Sequence, residues 1–193
     1  MARPRTTSDA EILAATGRAI GAHGPGRLTL ALVGAEAGVS AATLSQRFGS
    51  KRGLLLAFAE NEVANAAAPY EAAKAAHSSP LDALHAVADF VARHVSGPEE
   101  MANQLGMLQL DLSDPEFRAH AAKHASAVDE ALCGLLAEAA AAGEISPDTD
   151  TRKLARAIKI TMDGSLLRWA LTGEGELAES LHDDLDHLIG RTA

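Results

Sequence analysis

Aromatic residues are nearly missing from this chain, with four Phe, one Trp and one Tyr among 193 residues. β-Sandwiches fill their pleated faces with aromatic and β-branched side chains. The shortage, set beside an abundance of alanine, argues against an all-β core and for helices. A single cysteine, Cys133, rules out an internal disulfide and a cysteine-rich metal site, and suits a reducing compartment. No run approaches the ~20 apolar residues needed to cross a bilayer. The N-terminus, MARPRTTSDAE, has no apolar core of a secretion signal. A cytoplasmic location without a membrane partner is therefore expected. Also lacking are a G-x-S-x-G elbow, a glycine-rich phosphate loop and a Cys/His pairing, so no catalytic residue, no cofactor and no enzymatic activity are expected.

Basic residues are outnumbered, 17 Lys/Arg against 26 Asp/Glu for a net charge of −9. Taken alone, that balance argues against nucleic acid, but the charge is unevenly placed. Residues 1–52 carry seven bases (Arg3, Arg5, Arg18, Arg27, Arg47, Lys51, Arg52) and three acids (Asp9, Glu11, Glu36), and the remainder carries ten bases and 23 acids. A basic head on an acidic body is the electrostatic footprint of a chain that grips DNA at one end.

Residues 29–52, TLALVGAEAGVSAATLSQRFGSKR, read as two short helices around a tight turn. Thr29 can cap the first helix, and Leu30, Val33 and Ala37 give it an apolar face. Gly38 accepts the left-handed conformation of a helix stop. Ser40 caps a second helix from about Ala41 to Phe48, with Leu44 and Phe48 inward. This is the pattern of a helix-turn-helix, whose second helix enters the DNA major groove. Ahead of it, Ser8 to Glu11 fit a capping box that opens a first helix to about Ala22, with Ile12, Leu13, Thr16 and Ile20 inward. His23-Gly-Pro-Gly-Arg27 reads as a turn. Residues 1–7, with Arg3 and Arg5, form a basic arm that either tracks the DNA or is simply solvated.

Ala37-Gly-Val-Ser40, Thr43–Leu44, Phe48-x-Ser-Lys51 and Leu54–Leu55, held at fixed spacing across roughly residues 8–56, resemble the DNA-binding domain of TetR-family transcriptional regulators. The resemblance implies an all-α protein: an N-terminal three-helix helix-turn-helix domain and a C-terminal helical bundle for ligand binding and dimerisation. The expected domains are residues 1–52 and 53–193, joined by a fourth helix from about Lys51. That helix is expected to run to about Ala68, where Pro69 stops it. Ser45 departs from the family, which usually has Tyr there on a phosphate; Gln46 and Arg47 are then expected to take over part of that work. Ala31 stands where the family often has a basic residue, and Leu32 lies off the inner face.

The mechanism implied has Thr29, Ser45 and Lys51 on phosphates, Lys51 aided by the helix N-terminus that Ser50 caps. Thr43, Gln46 and Arg47, with the small Ala41 and Ala42, face the bases; Gln suits adenine and Arg suits guanine. Ser40 positions the helix that carries them.

Beyond residue 70, Gly/Pro breaks separate helices at about 81–95, 99–111, 115–142, 148–171 and 176–189. Leu177, Leu181, Leu185 and Leu188 form a narrow stripe suited to an oligomer, as do the last two helices in the family. Helix 148–171 has one stripe at Leu154, Ile158, Met162 and Trp169, and a second side at Ile160, Leu167 and Leu171. The resemblance also implies an unidentified small-molecule effector. Phe90, His94, Gln104, Met107, His124, Met162 and Asp163 are the candidate contacts, although such residues at helical spacing also make ordinary cores. His120 and His124, and His182 with His187, have metal-ligating side chains but no further supporting motif, and no metal is expected.

The expected protein is thus a homodimeric regulator, a repressor released from a palindromic double-stranded operator by its effector. The alternatives are a DNA-binding module answering to a protein partner or to no ligand, and a helical enzyme with a vestigial head.

Overall fold

The structure is a computed structural model that describes residues 7–190. The basic arm with Arg3 and Arg5 lies outside the described residues. Ten helices and no strand are present among them. They are α1 (Asp9–Arg27), α2 (Leu30–Ala37), α3 (Ala41–Phe48), α4 (Lys51–Asn65), α5 (Ala68–Ala76), α6 (Pro80–Arg93), α7 (Pro98–Ser113), α8 (Pro115–Ala141), α9 (Thr151–Thr172) and α10 (Leu177–Ile189). The chain divides into two compact units. One takes residues up to Ala64 together with Glu99–Lys123; the other takes Asn65–Pro98 and the residues from His124 onward.

In the first unit the caps fall where the sequence places them. Ser8 Oγ accepts from the Glu11 N–H, and Glu11 Oε2 accepts from the Ser8 N–H, completing the capping box. Thr29 caps α2 by accepting from the Leu32 N–H at 3.1 Å, and Gly38 ends it in the left-handed region. Ser40 caps α3 by accepting from the Thr43 N–H at 3.0 Å. Ile12, Ile20, Leu28, Val33, Leu44, Leu54, Leu55 and Phe117 form the buried core, so α1, α2, α3, α4 and the start of α8 share one apolar centre. The hydroxyl of buried Thr16 donates to the Ile12 carbonyl at 2.9 Å, which leaves no unpaired donor there.

Of the two helix ends that the Gly/Pro pattern marks, one falls where expected and one does not. The first helix breaks at Gly24, within the segment expected to turn, and one further helical turn from Pro25 carries α1 to Arg27. Gly24 has φ +70°, which its missing Cβ permits, and Pro25 opens the final turn, where its lack of an N–H costs nothing. The fourth helix does not reach Ala68 but ends at Asn65. Pro69 is not its stop; it sits in the first turn of α5, again where no N–H is needed.

In the second unit, Ser79 and Asp150 cap α6 and α9 by accepting from the N–H groups of Asp82 and Lys153. The core joins Leu81, Leu84 and Val87 of α6, Leu132, Leu135 and Leu136 of α8, Ile158 and Met162 of α9, and Leu177, Leu181 and Leu185 of α10. The α10 leucine stripe expected to serve an oligomer is therefore largely used within the chain, because α10 packs on both α6 and α9. Apart from Phe90 on α6, the large apolar residues left outside in this unit lie on the other side of α9: Ile160, Leu167 and Leu171 are 59%, 41% and 78% exposed.

Candidate nucleic-acid interface

Leu44 is fully buried and anchors α3, which fixes what the rest of that helix presents. Ala42, Ser45, Gln46 and Arg47 are exposed, while Ala41 and Thr43 are half-buried. With a period of 3.6 residues, Ala42, Ser45 and Gln46 share the outward face, one turn apart. This short helix thus offers a methyl, a hydroxyl and a carboxamide side by side.

The turn before α3 depends on a glycine whose role the motif reading did not single out. A Cβ on Gly34 would lie 2.6 Å from the Val39 carbonyl oxygen. The Val39 N–H donates to the Gly34 carbonyl at 2.9 Å, so the chain reverses hard against α2. The small side chain is therefore a packing requirement, set by the angle between α2 and α3. Leu32 proves to be exposed on α2.

Several expected DNA contacts already have partners within the first unit. Arg47 Nη1 donates to the Thr7 carbonyl at 2.7 Å and lies 3.1 Å from Asp9 Oδ1, which holds the guanidinium against the start of α1. Lys51 Nζ donates to the Gly26 carbonyl at 3.2 Å. Ser45 Oγ donates to the Gly49 carbonyl at 3.3 Å, and the Ser40 and Thr43 hydroxyls are 2.9 Å apart. Thr29 and Ser40 have their oxygens committed to caps. Ser50 Oγ accepts from the Gly53 N–H at 3.1 Å and so caps α4. Arg18 pairs with Glu36 at 2.6 Å, tying α1 to α2.

Arg52, assigned no role from the sequence, is engaged by two acids. Its guanidinium meets Asp114 at 2.9 Å and Glu116 at 2.9 Å, and lies 5.6 Å from the Phe117 ring centroid. The hydrogen bond from Arg52 holds the Asp114 carboxyl below its ordinary range, aided by backbone N–H groups at the start of α8.

The effector candidates are divided between the units. Gln104 and Met107 belong to the first, where Met107 packs on the core. Phe90, His94, His124, Met162 and Asp163 belong to the second. Phe90 and His94 stack with centroids 4.0 Å apart, on the outside of α6. His124 is half-buried; burial, then the Lys159 charge, pushes its pKa down. Lys159 is paired with Asp163. Burial pushes the Tyr70 hydroxyl up to about 12, with Asp129 and Asp163 adding to the shift. None of the seven candidates lines the cavity of about 840 Å³ in the first unit, which lies among α1, α4, α7 and the start of α8. Among the described residues, no group of three or more His, Cys, Asp or Glu could hold a metal ion, and no helix is long and apolar enough to cross a membrane.

No curated protein matches the chain. Solved structures do. A TetR transcription regulator from Haloarcula marismortui superposes with a TM-score of 0.75 at 19% identity, covering 95% of this chain and 97% of that one. FadR from Bacillus subtilis, in complex with stearoyl-CoA, gives 0.73 at 20% identity over 96% and 100%. SmeT, the repressor of the Stenotrophomonas maltophilia multidrug efflux pump SmeDEF, gives 0.66 at 21% identity over 95% and 89%. At such identities the likeness speaks for the fold. The family models go further: "Bacterial regulatory proteins, tetR family" matches residues 12–58, and "Tetracyclin repressor-like, C-terminal domain" matches residues 106–184. This chain therefore belongs to the TetR family of transcriptional regulators, with a helix-turn-helix DNA-binding domain and a C-terminal helical domain.

Proposed function

We propose that the protein is a homodimeric repressor that holds a palindromic operator through α3 and releases it when a small molecule binds. The observation that carries this reading is the outward face of α3, where Ala42, Ser45 and Gln46 stand free of the core while Leu44 pins the helix. Gln46 is the adenine reader and Ala42 the partner for a thymine methyl. Arg47 reads guanine after giving up Asp9. Thr43 flanks these contacts, and Ala41 allows close approach. Thr29, Ser45 and Lys51, with the capped start of α4, take the phosphates. Residues 1–52 are the reading domain, and residues 53–193 carry the effector and dimer functions.

The dimer forms through α9 and α10, with the exposed Ile160, Leu167 and Leu171 as its apolar centre. Two-fold symmetry then sets the two recognition helices about 34 Å apart or somewhat further, one turn of DNA. The effector acts only if it binds the DNA-incompetent state more tightly than the competent one. The stearoyl-CoA in the FadR neighbour makes long-chain acyl thioesters one class worth screening.

Selection from a random DNA pool by the purified protein, sequenced at two salt concentrations, tests this reading. A palindromic consensus whose enrichment falls steeply with salt is expected. A lack of any enriched sequence at low salt would overturn it.

A further inference from the structure

We propose that the cavity in the first unit is a binding site for an amphipathic organic anion, one with a single apolar chain and a terminal carboxylate. The cavity measures about 840 Å³, within the range of small-molecule sites, ~300–1,000 Å³. Its lining has two chemistries. Pro25, Leu55, Ala102, Leu110 and Phe117 supply apolar surface from four helices. Arg27 and Lys51 supply positive charge beside it.

Those two cations are held in place by the protein without being neutralised by it. Arg27 Nε donates to the His23 carbonyl at 3.0 Å, and Lys51 Nζ donates to the Gly26 carbonyl at 3.2 Å. Both acceptors are main-chain carbonyls near the end of α1. No carboxylate is paired with either cation among the described residues. The acid on the lining, Asp114, is taken by Arg52. The uncompensated charge at the cavity is therefore positive, and an anion with an apolar tail satisfies both parts of the lining at once.

The packing that leaves this space open is specific to small residues. A Cβ on Gly106 of α7 would come within 2.8 Å of the Pro25 ring, and one on Gly24 within 2.9 Å of the Asn103 carboxamide. Asn103 also donates to the Gly21 carbonyl at 2.8 Å. Thus α7 lies directly against the kinked end of α1, and the two helices form one wall together. Lys51 is also the phosphate contact assigned above. One ammonium cannot neutralise a bound carboxylate and an operator phosphate fully at the same time, so ligand and DNA compete. That competition rests on the proposed function; the binding itself does not.

The test is calorimetric titration of the full chain with dodecanoate, without DNA. Saturable binding of one dodecanoate per chain is expected, with dodecanol at least tenfold weaker. Arg27→Gln, on an exposed side chain, should weaken binding about fivefold. Ala102→Leu, which fills the apolar part without touching a charge, should weaken it at least tenfold. Lys153→Gln, which removes a cation in the other unit, should leave it unchanged. No saturable binding, equal affinity for dodecanol, or binding untouched by both cavity variants overturns the proposal. A protein that selects an operator but ignores dodecanoate loses this site and keeps the proposed function; the converse result separates them the other way.

Discussion

Gly34 and Val39 meet main chain to main chain: the Val39 N–H donates to the Gly34 carbonyl at 2.9 Å, and a Cβ on Gly34 would stand 2.6 Å from the Val39 oxygen. The obstacle is backbone, which cannot rotate aside as a side-chain tip can. Gly34→Ala should therefore destabilise the protein by roughly 1–3 kcal/mol, the range for overpacking, although alanine is the better helix former. Ala35→Gly, one residue along on the exposed side, should cost ~1 kcal/mol at most. Urea unfolding at one fixed protein concentration checks the order, since an oligomer would otherwise shift the midpoint. Equal losses in the two variants would remove the steric account.

Arg47 is held by Thr7 and Asp9 at the start of α1, so its use on DNA has a cost set by those partners. Asp9→Asn removes a competing carboxylate and a charge that repels phosphate. Operator affinity should rise several-fold, with a steeper loss on adding salt, because one more cation is free to displace counterions from the DNA. Arg47→Ala should lower affinity about 5- to 150-fold, the worth of a good bidentate base contact of ~1–3 kcal/mol, and relax the preference at one base position. Fluorescence anisotropy with the selected operator and single-base variants distinguishes these outcomes. An Arg47→Ala protein with unchanged affinity and selectivity would show that the guanidinium stays on α1.

Tyr70 is the single tyrosine of the chain, which makes its ionisation readable by absorbance near 295 nm. Burial favours the neutral phenol and raises its pKa from 10.0 to about 12. The folded-state value lies above the unfolded one, so this group's contribution to stability is complete below pH 10 and is lost as pH rises from 10 toward 12. At pH 10.5 the native protein should show little phenolate, while the urea-unfolded chain is more than half ionised. A native titration centred on pH 10 would place Tyr70 in water.

His124 works in the opposite direction. Its pKa is depressed first by burial and then by Lys159, so the fold favours neutral imidazole. Stability is complete above the ordinary value of 6.5 and falls as pH drops below it, because the unfolded chain takes up the proton first. The decline levels off below the depressed folded-state value. His124→Gln should flatten the stability profile between pH 7 and 5 relative to the parent, measured by urea midpoints at each pH.

The legibility of the sequence followed the range of the interaction. Caps are local: Ser8, Thr29, Ser40 and Gly38 each act within a few residues, and all four stand where the pattern puts them. Pro69 misled because a proline that ends one helix and a proline that opens the next look alike in sequence. The Arg52 pair with Asp114 and Glu116 spans more than 60 residues, and no periodicity announces it. The Gly106–Pro25 approach is equally long-range. On α3 the inward Leu44 was readable, yet the partners that hold Arg47 and Lys51 were not, since they lie just before α1, at its start and near its end rather than within the motif.

The two apolar sides of α9 show why a stripe alone does not identify a partner. Ile158 and Met162 are buried with Leu181 and Leu185 of α10, whereas Ile160, Leu167 and Leu171 remain in water. Seven and eleven residues apart, these three lie along one face of the helix. Such a face is costly to leave wet and suits an isologous contact with a second copy. Leu171→Glu and Ile160→Glu remove no packed side chain, so the monomer's secondary structure should survive. Light scattering should show dimer giving way to monomer, with dissociation moved upward by at least tenfold for the double variant. Operator binding should fall with it, because a lone head makes only half the contacts. If the double variant stayed dimeric and kept its operator affinity, the contact between copies would lie elsewhere on the chain.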